Sequence, residues 1–132
     1  MAMLLGKKVG MTRVYDEAGR LVPVTVIQAG PCTVTQVKTS QADGYSAVQL
    51  GFDAVKPSRR TQSELGHARK ANTSPKRFMR EWRLPSGSEP KYKLGDSLDV
   101  SIFAETKLVD IAATSKGKGF AGPMKRHHFK GF

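Results

Sequence analysis

The sequence has little of what disulfide bonding, secretion or membrane insertion requires. Among its 132 residues there is one cysteine, Cys32, so no disulfide can form within the chain. No apolar run approaches the roughly 20 residues that a membrane-spanning helix needs. Lys7 and Lys8 follow a very short apolar stretch, which is the reverse of the order in a secretory signal peptide. We therefore expect a cytoplasmic protein.

Acidic residues are also scarce, with 11 Asp and Glu against 22 Lys and Arg and a net charge of +11. The excess is uneven: residues 56–83 hold nine Lys or Arg and two Glu, and residues 114–132 hold five Lys or Arg and no acid. The rest of the chain is nearly neutral. A near-neutral body with two basic segments favours a polyanionic partner. Nucleic acid is favoured over a membrane surface or an acidic protein. The lack of a wide apolar helical face in these segments counts against the membrane.

Short alternating apolar patterns predict a mainly β body over residues 1–113. Their spacing of about ten residues, with turn residues between them, predicts a small antiparallel sheet or barrel. Strands are expected at residues 4–15, 21–29, 32–39, 45–52, 94–103 and 106–114, and residues 76–84 are expected to form a strand or an extended arm. Thr61 and Glu64 have capping-box spacing, which predicts one short helix from about Gln62 to Ala71, with a plain loop as the alternative.

The alternation also predicts which side chains share a face of each strand. Ser46, Val48, Leu50 and Phe52 fall on one side of the fourth strand. In the fifth strand, one side carries Phe78, Arg80, Trp82 and Leu84. In the strand predicted over residues 94–103, one face carries Leu98, Val100 and Ile102.

Catalytic residues are poorly represented. Cys32 lies among β-branched residues at strand spacing, so a packed thiol is favoured over a nucleophile. His67, His127 and His128 lack the spacing of a metal site. We expect no catalytic residue, no metal, no cofactor and no small-molecule substrate, and therefore no enzyme.

The last nineteen residues, TSKGKGFAGPMKRHHFKGF, show neither helical nor strand periodicity. Their cations suit phosphates, their glycines allow close backbone approach, and Phe120, Phe129 and Phe132 can stack on unpaired bases. The alternative is a disordered tail that only adds solubility. Because disordered tails seldom carry three Phe in so short a stretch, an RNA-binding tail is favoured.

Three stretches carry a resemblance to a known family: LLGKKVGMTRVYDEAGRLVPVTVI, VTQVKTSQADGYSAVQLGF and, above all, TSKGKGFAGPMKRHHFKGF. Over essentially all of its length the chain resembles the universal large-subunit ribosomal protein L-three family, in its bacterial form. The resemblance implies a translation-protein-type β-barrel with a basic insertion at about residues 56–83. It also implies that residues 114–132 form the outbound half of a loop running through 23S-type rRNA towards the peptidyl transferase region.

In the family, the sequence continues beyond the position of Phe132 and returns with strands that finish the barrel. We therefore expect an incomplete barrel here. The resemblance implies a structural role in early subunit assembly, with large-subunit rRNA and neighbouring ribosomal proteins as partners. The alternative function is a protein-interaction module whose open sheet edge and basic segments bind an acidic partner.

From the basic segments and the resemblance together, we expect RNA contacts from the hairpin, the basic insertion and the tail. The candidate residues are Lys7, Lys8, Arg13, Arg59, Arg60, Arg77, Arg80, Arg83, Lys116, Gly117, Lys118, Gly119, Phe120, Lys125, Arg126, His127, His128 and Lys130.

Overall fold

The computed structural model describes residues 3–85, 88 and 90–131, and Phe132 therefore lies outside the described residues. Within these residues six strands form: β1 (Gly6–Tyr15), β2 (Leu21–Ala29), β3 (Cys32–Lys38), β4 (Ala47–Ala54), β5 (Lys76–Arg83) and β6 (Ser97–Leu98). The same residues form three short helices where one was predicted: α1 (Ser40–Asp43), α2 (Gln62–Lys70) and α3 (Pro123–His127). Two 3₁₀ turns lie at Pro57–Arg59 and Val100–Phe103.

The strands form two antiparallel sheets. β1 and β2 pair as an isolated hairpin around the turn at Asp16–Arg20, where Gly19 takes a φ of +72° that favours glycine. The other four strands follow the order β5-β4-β3-β6. Among the described residues the two sheets do not close into a barrel. The prediction of a mainly β, incomplete barrel-like fold is confirmed.

The hydrophobic core lies on one face of the four-stranded sheet. Its buried members come from three neighbouring strands: Cys32, Val34, Val48, Leu50, Phe52 and Leu98. The alternation predicted for the fourth strand is confirmed, since its three apolar side chains all lie in this cluster. Fully burying a side chain of this size contributes about 1.5–3 kcal/mol, so these few residues supply much of the stability of the sheet.

α2 begins with the capping box that the sequence predicted. The Thr61 hydroxyl oxygen accepts a hydrogen bond from the Glu64 backbone N–H at 3.5 Å, and a Glu64 carboxylate oxygen accepts one from the Thr61 N–H at 3.0 Å. The second bond is the largest cause of a lowered pKa for Glu64. The helix prediction is therefore confirmed, and the loop alternative is wrong.

The strand predicted over residues 94–103 is wrong for most of its length. Only Ser97 and Leu98 pair with β3, and a 3₁₀ turn begins at Val100. Continued pairing would bring this chain alongside Pro31, which precedes β3 and has no backbone N–H to donate. The ladder stops there, so Leu98, Val100 and Ile102 do not share a strand face.

The strand predicted over residues 106–114 is also wrong. These residues are not part of a sheet, and all residues from 104 to 131 are exposed. A β-prone segment forms a strand only where a neighbour completes its backbone hydrogen bonds, and this segment has no such neighbour among the described residues. Further along, α3 interrupts the otherwise irregular tail, with Pro123 at its first position, where a missing N–H costs nothing.

Candidate nucleic-acid interface

The hairpin presents three candidate cations. Lys7, Lys8 and Arg13 of β1 are all exposed. The pairing register slips between Lys8 and Gly10, which forms a bulge at this point of the ribbon. No carboxylate within the described part of the chain forms an ion pair with these three side chains, so their charges face solvent.

β5 divides its arginines between the two faces of the sheet. Arg80 pairs with Leu50 and lies on the core side, at the open margin formed by this edge strand. Arg83 pairs with Ala47 and lies on the opposite side, which also carries α2. The structure therefore does not bring the predicted β5 cations together into one patch.

Arg77 is partly neutralised by its own sheet. Its guanidinium lies 3.7 Å from a carboxylate oxygen of Asp53, and both side chains are well exposed. An exposed pair of this kind contributes little to stability. Arg77 is therefore still able to contact a phosphate.

Arg60 and Arg59 are adjacent but differ in their surroundings. Arg60 donates to Glu64 at 3.0 Å and to the backbone carbonyl of Arg77 at 3.3 Å, and its side chain is only 23% exposed. These contacts tie the start of α2 to β5. Arg59 is exposed at the end of a 3₁₀ turn. Of the two, Arg59 has the geometry of a phosphate contact.

A polar cluster covers the outer face of the sheet where β3, β4 and β5 meet. Lys38 donates to Tyr45 at 2.6 Å and contacts Glu81 at 2.7 Å, and the Tyr45 hydroxyl donates to Glu81 at 2.8 Å. These hydrogen bonds raise the pKa of Lys38, with the Glu81 bond as the main cause, and lower the pKa of Glu81, with the Lys38 bond as the main cause. Arg83 lies over the Tyr45 ring, 4.4 Å from its centroid.

Gln49 connects this cluster to α2. Its amide oxygen accepts from the Thr35 hydroxyl at 2.8 Å and lies 2.7 Å from the Nε2 of His67. With an acceptor at that distance, His67 Nε2 carries the hydrogen. Residue type and spacing do not reveal this network, because Tyr45 and Glu81 are 36 residues apart and only the strand register brings them together.

The C-terminal cations have the most open surroundings. Lys116, Lys118, Lys125, Arg126 and Lys130 are all exposed, and none forms an ion pair within the described residues. Gly119 has a φ of +71°, and Phe120 is fully exposed.

The remaining tail candidates adopt different local geometries. His127 and Phe129 have ring centroids 5.8 Å apart, and His128 takes a φ of +56° after the end of α3. A side chain at Gly117 would meet nothing within 4 Å in the protein itself. The tail therefore offers charge and one fully exposed aromatic ring.

Other chemistries have little support within the described residues. No cluster of three or more His, Cys, Asp or Glu there could hold a metal ion. Burial raises the pKa of the Cys32 thiol, and its Sγ lies 3.3 Å from both the backbone N and O of Leu5, as suits a packed cysteine. None of the helices in this part of the chain has the length and apolar character to cross a membrane.

Together, the open β body and exposed cationic tail define a basic β protein with an unpartnered extension. No protein-family model matches the chain. Three proteins named large ribosomal subunit protein uL3 are similar to it over almost its entire length. That of Acaryochloris marina is 53% identical over 127 residues, that of Acidothermus cellulolyticus 54% over 128, and that of Cutibacterium acnes 56% over 128.

These alignments cover 96–97% of this chain but only 56–59% of each relative. The chain thus spans less than two thirds of the length of the proteins that it matches. It belongs to the uL3 family and corresponds to an N-terminal portion of the bacterial members.

Proposed function

We propose that this chain is a structural component of the large ribosomal subunit that binds 23S-type rRNA. The observation that carries the proposal is the exposed tail, whose five cations have no acidic partner in the described residues. Unpaired cations along an exposed, mostly irregular segment suit the phosphates of a folded RNA. The names of the similar proteins support the same assignment.

In this proposal the body, residues 1–113, lies on the RNA surface, and residues 114–132 are the outbound half of a loop that enters the rRNA towards the peptidyl transferase region. The hairpin cations and the exposed arginines of residues 56–83 supply further phosphate contacts. The chain supports early subunit assembly and acts within the cytoplasmic ribosome, beside neighbouring ribosomal proteins. Its role is structural rather than enzymatic.

The proposal is tested by the salt dependence of binding to a 23S-type rRNA transcript. If about six phosphates are neutralised, log K against log salt concentration has a slope of about −4 to −5. A variant with Gln at all five tail cations should lose most of this slope while keeping its fold. A flat salt response of the unmodified chain would refute the proposal.

A second candidate function is supported by one observation on the hairpin. Val14, Val22 and Val26 are 52%, 40% and 44% exposed, and they lie on the same face of the ribbon. An exposed apolar face of this kind is typical of a protein-interaction surface. Under this alternative the chain binds an acidic protein, and partners retained after ribonuclease treatment would favour it over RNA binding.

A further inference from the structure

A groove of about 410 Å³ lies at one end of the four-stranded sheet, beside the polar cluster. It is formed where α1 and the loop before β4 meet the last residue of β5. The groove is open to solvent and its lining is mostly polar, which suits a charged ligand held at the surface. The lining residues that matter for its chemistry are Ser40, Asp43, Tyr45, Ser46 and Arg83.

Arg83 is the groove's cation, and its guanidinium is held in place. It lies over the Tyr45 ring, whose hydroxyl is fixed by Lys38 and Glu81. The charge of Lys38 is already matched by Glu81 at 2.7 Å. Within the described residues, no carboxylate forms an ion pair with Arg83. Among the residues that the structure describes, the groove therefore contains one oriented guanidinium with no paired carboxylate.

Two hydroxyls complete the polar lining. Ser40 Oγ and Ser46 Oγ lie 3.0 Å apart. Since one hydrogen bond between them uses only one of their two protons, the other remains able to donate to a ligand. Asp43, the one acid among the described lining residues, accepts a hydrogen bond from the Thr39 backbone N–H at 3.3 Å, which offsets part of its charge.

We propose that this groove is a phosphate-binding subsite, in which the Arg83 guanidinium binds the anion and one of the two paired serine hydroxyls donates to it. The proposal rests on the proposed RNA-binding function and adds a specific contact on the body, away from the tail. A guanidinium presents a planar fork that matches phosphate oxygens bidentately, and stacking on an aromatic ring orients that fork before the ligand arrives. The phosphate belongs either to an RNA strand or to a free anion.

The two sources are separated by nuclear magnetic resonance on the 132-residue chain. Inorganic phosphate and a single-stranded RNA oligonucleotide are titrated in separate samples at fixed ionic strength. We expect both to shift the Arg83 Nε–Hε signal and the backbone amides of Ser40 and Ser46. Arg83→Gln should abolish the serine shifts and reduce the salt slope of RNA binding by about 0.7–0.9, the value of one phosphate contact.

Matched variants isolate the role of the groove. Arg20→Gln removes the same charge at the hairpin turn and should leave the serine shifts unchanged. Arg83→Lys keeps the positive charge but not the planar guanidinium, and it should lose most of the shift of the Ser40 and Ser46 amide signals. Tyr45→Phe keeps the ring beneath Arg83 but removes the hydroxyl bonded to Lys38 and Glu81, so it should weaken the serine shifts less than Arg83→Gln does.

Each outcome decides the proposal. Groove shifts with both probes support an RNA phosphate, and shifts with inorganic phosphate alone support the site with a free anion as its ligand. If neither probe shifts the groove signals while RNA shifts those of residues 116–130, the subsite is overturned and the proposed function stands. If RNA shifts no signal at all, the proposed function fails, and the inorganic phosphate titration still decides the groove.

Discussion

Strand β4 and residues 107–113 both carry several apolar side chains, but only those of β4 are buried. Leu50 is completely inaccessible between β3 and β5, whereas Leu108 is 89% exposed. The difference lies in the neighbours, since β4 has a paired strand on each side and the C-terminal segment has none among the described residues. The comparison shows that an apolar pattern stabilises the protein only where the fold supplies a partner for it.

The largest expected effect comes from truncating the same side chain in the two regions. Leu50→Ala should lower the free energy of unfolding by about 2–5 kcal/mol, because it leaves a cavity in the core. Leu108→Ala should change it by less than about 0.5 kcal/mol. Urea denaturation followed by Trp82 fluorescence measures both. A comparable loss at Leu108 would mean that the C-terminal segment packs against the body in solution.

This contrast also explains how far the sequence predicts the fold. Strands β1 to β5 and the capping box of α2 follow from local patterns, because each pattern finds its partner close by in the sheet. The early end of β6 depends on Pro31 lying beside it, which alternation in residues 94–103 does not reveal. The exposed state of residues 107–113 likewise follows from the lack of a sheet neighbour among the residues that the structure describes.

The candidate site was predictable in its charges but not in its geometry. The basic segments follow directly from composition. The inward contacts of Arg60, the placement of Arg80 and Arg83 on opposite faces, and the stacking of Arg83 on Tyr45 all depend on strand register. Residue type and spacing carry no information about contacts between residues so far apart along the chain.

The second prediction asks whether the order of residues in the tail matters. Phe120→Ala should weaken binding to 23S-type rRNA by about 1–3 kcal/mol if this exposed ring stacks on a base. Gly119→Val should also weaken it, since valine is strained at a φ of +71°. Lys118→Ala should weaken binding to the rRNA by less than Phe120→Ala does, because it removes one phosphate contact among many. None of these changes should alter the urea midpoint.

The control for that prediction is a charge-preserving scramble of residues 114–132, with affinity measured by competition at fixed salt. If the scrambled tail binds as well as the natural one, the tail acts through charge alone. That result would remove the reason for assigning Phe120 and Gly119 a fitted position in the RNA.

A smaller effect is expected at the start of α2. Thr61→Ala removes the hydroxyl that accepts the Glu64 N–H and should cost about 1 kcal/mol of stability. Thr114→Ala, in the exposed segment, should be nearly neutral. Thermal denaturation of both variants measures the difference, and equal melting temperatures would show that the capping box contributes nothing to the stability of the body.

The smallest expected effect is the pH dependence of the polar cluster. The pKa of Glu81 is lowered below its ordinary 4.5. Its ionised form therefore stabilises the folded protein fully above pH 4.5, and this stabilisation is lost as the pH falls through the lowered pKa. The pKa of Lys38 is raised above its ordinary 10.5. Its charged form therefore stabilises the folded protein fully below pH 10.5, and this stabilisation is lost as the pH rises through the raised pKa.

Glu81→Gln should therefore lower stability at pH 7 and flatten the loss of stability below about pH 4.5. Urea midpoints across pH 3–7 measure the change. Adding Lys38→Gln to this variant should lower the stability by less than Lys38→Gln does in the unmodified protein, since the carboxylate of Glu81 is already gone. Additive effects of the two substitutions would show that the ion pair is not formed in solution.

The central claim is that a stably folded β body carries a tail that becomes structured on RNA. Amide hydrogen exchange of the chain, with and without a 23S-type rRNA transcript, tests it most directly. Residues 32–38 and 47–52 should exchange slowly in both samples, and residues 116–130 should exchange rapidly alone and slowly with RNA. Slow exchange throughout residues 116–130 in the free protein, or no slowing when RNA is added, would contradict the account.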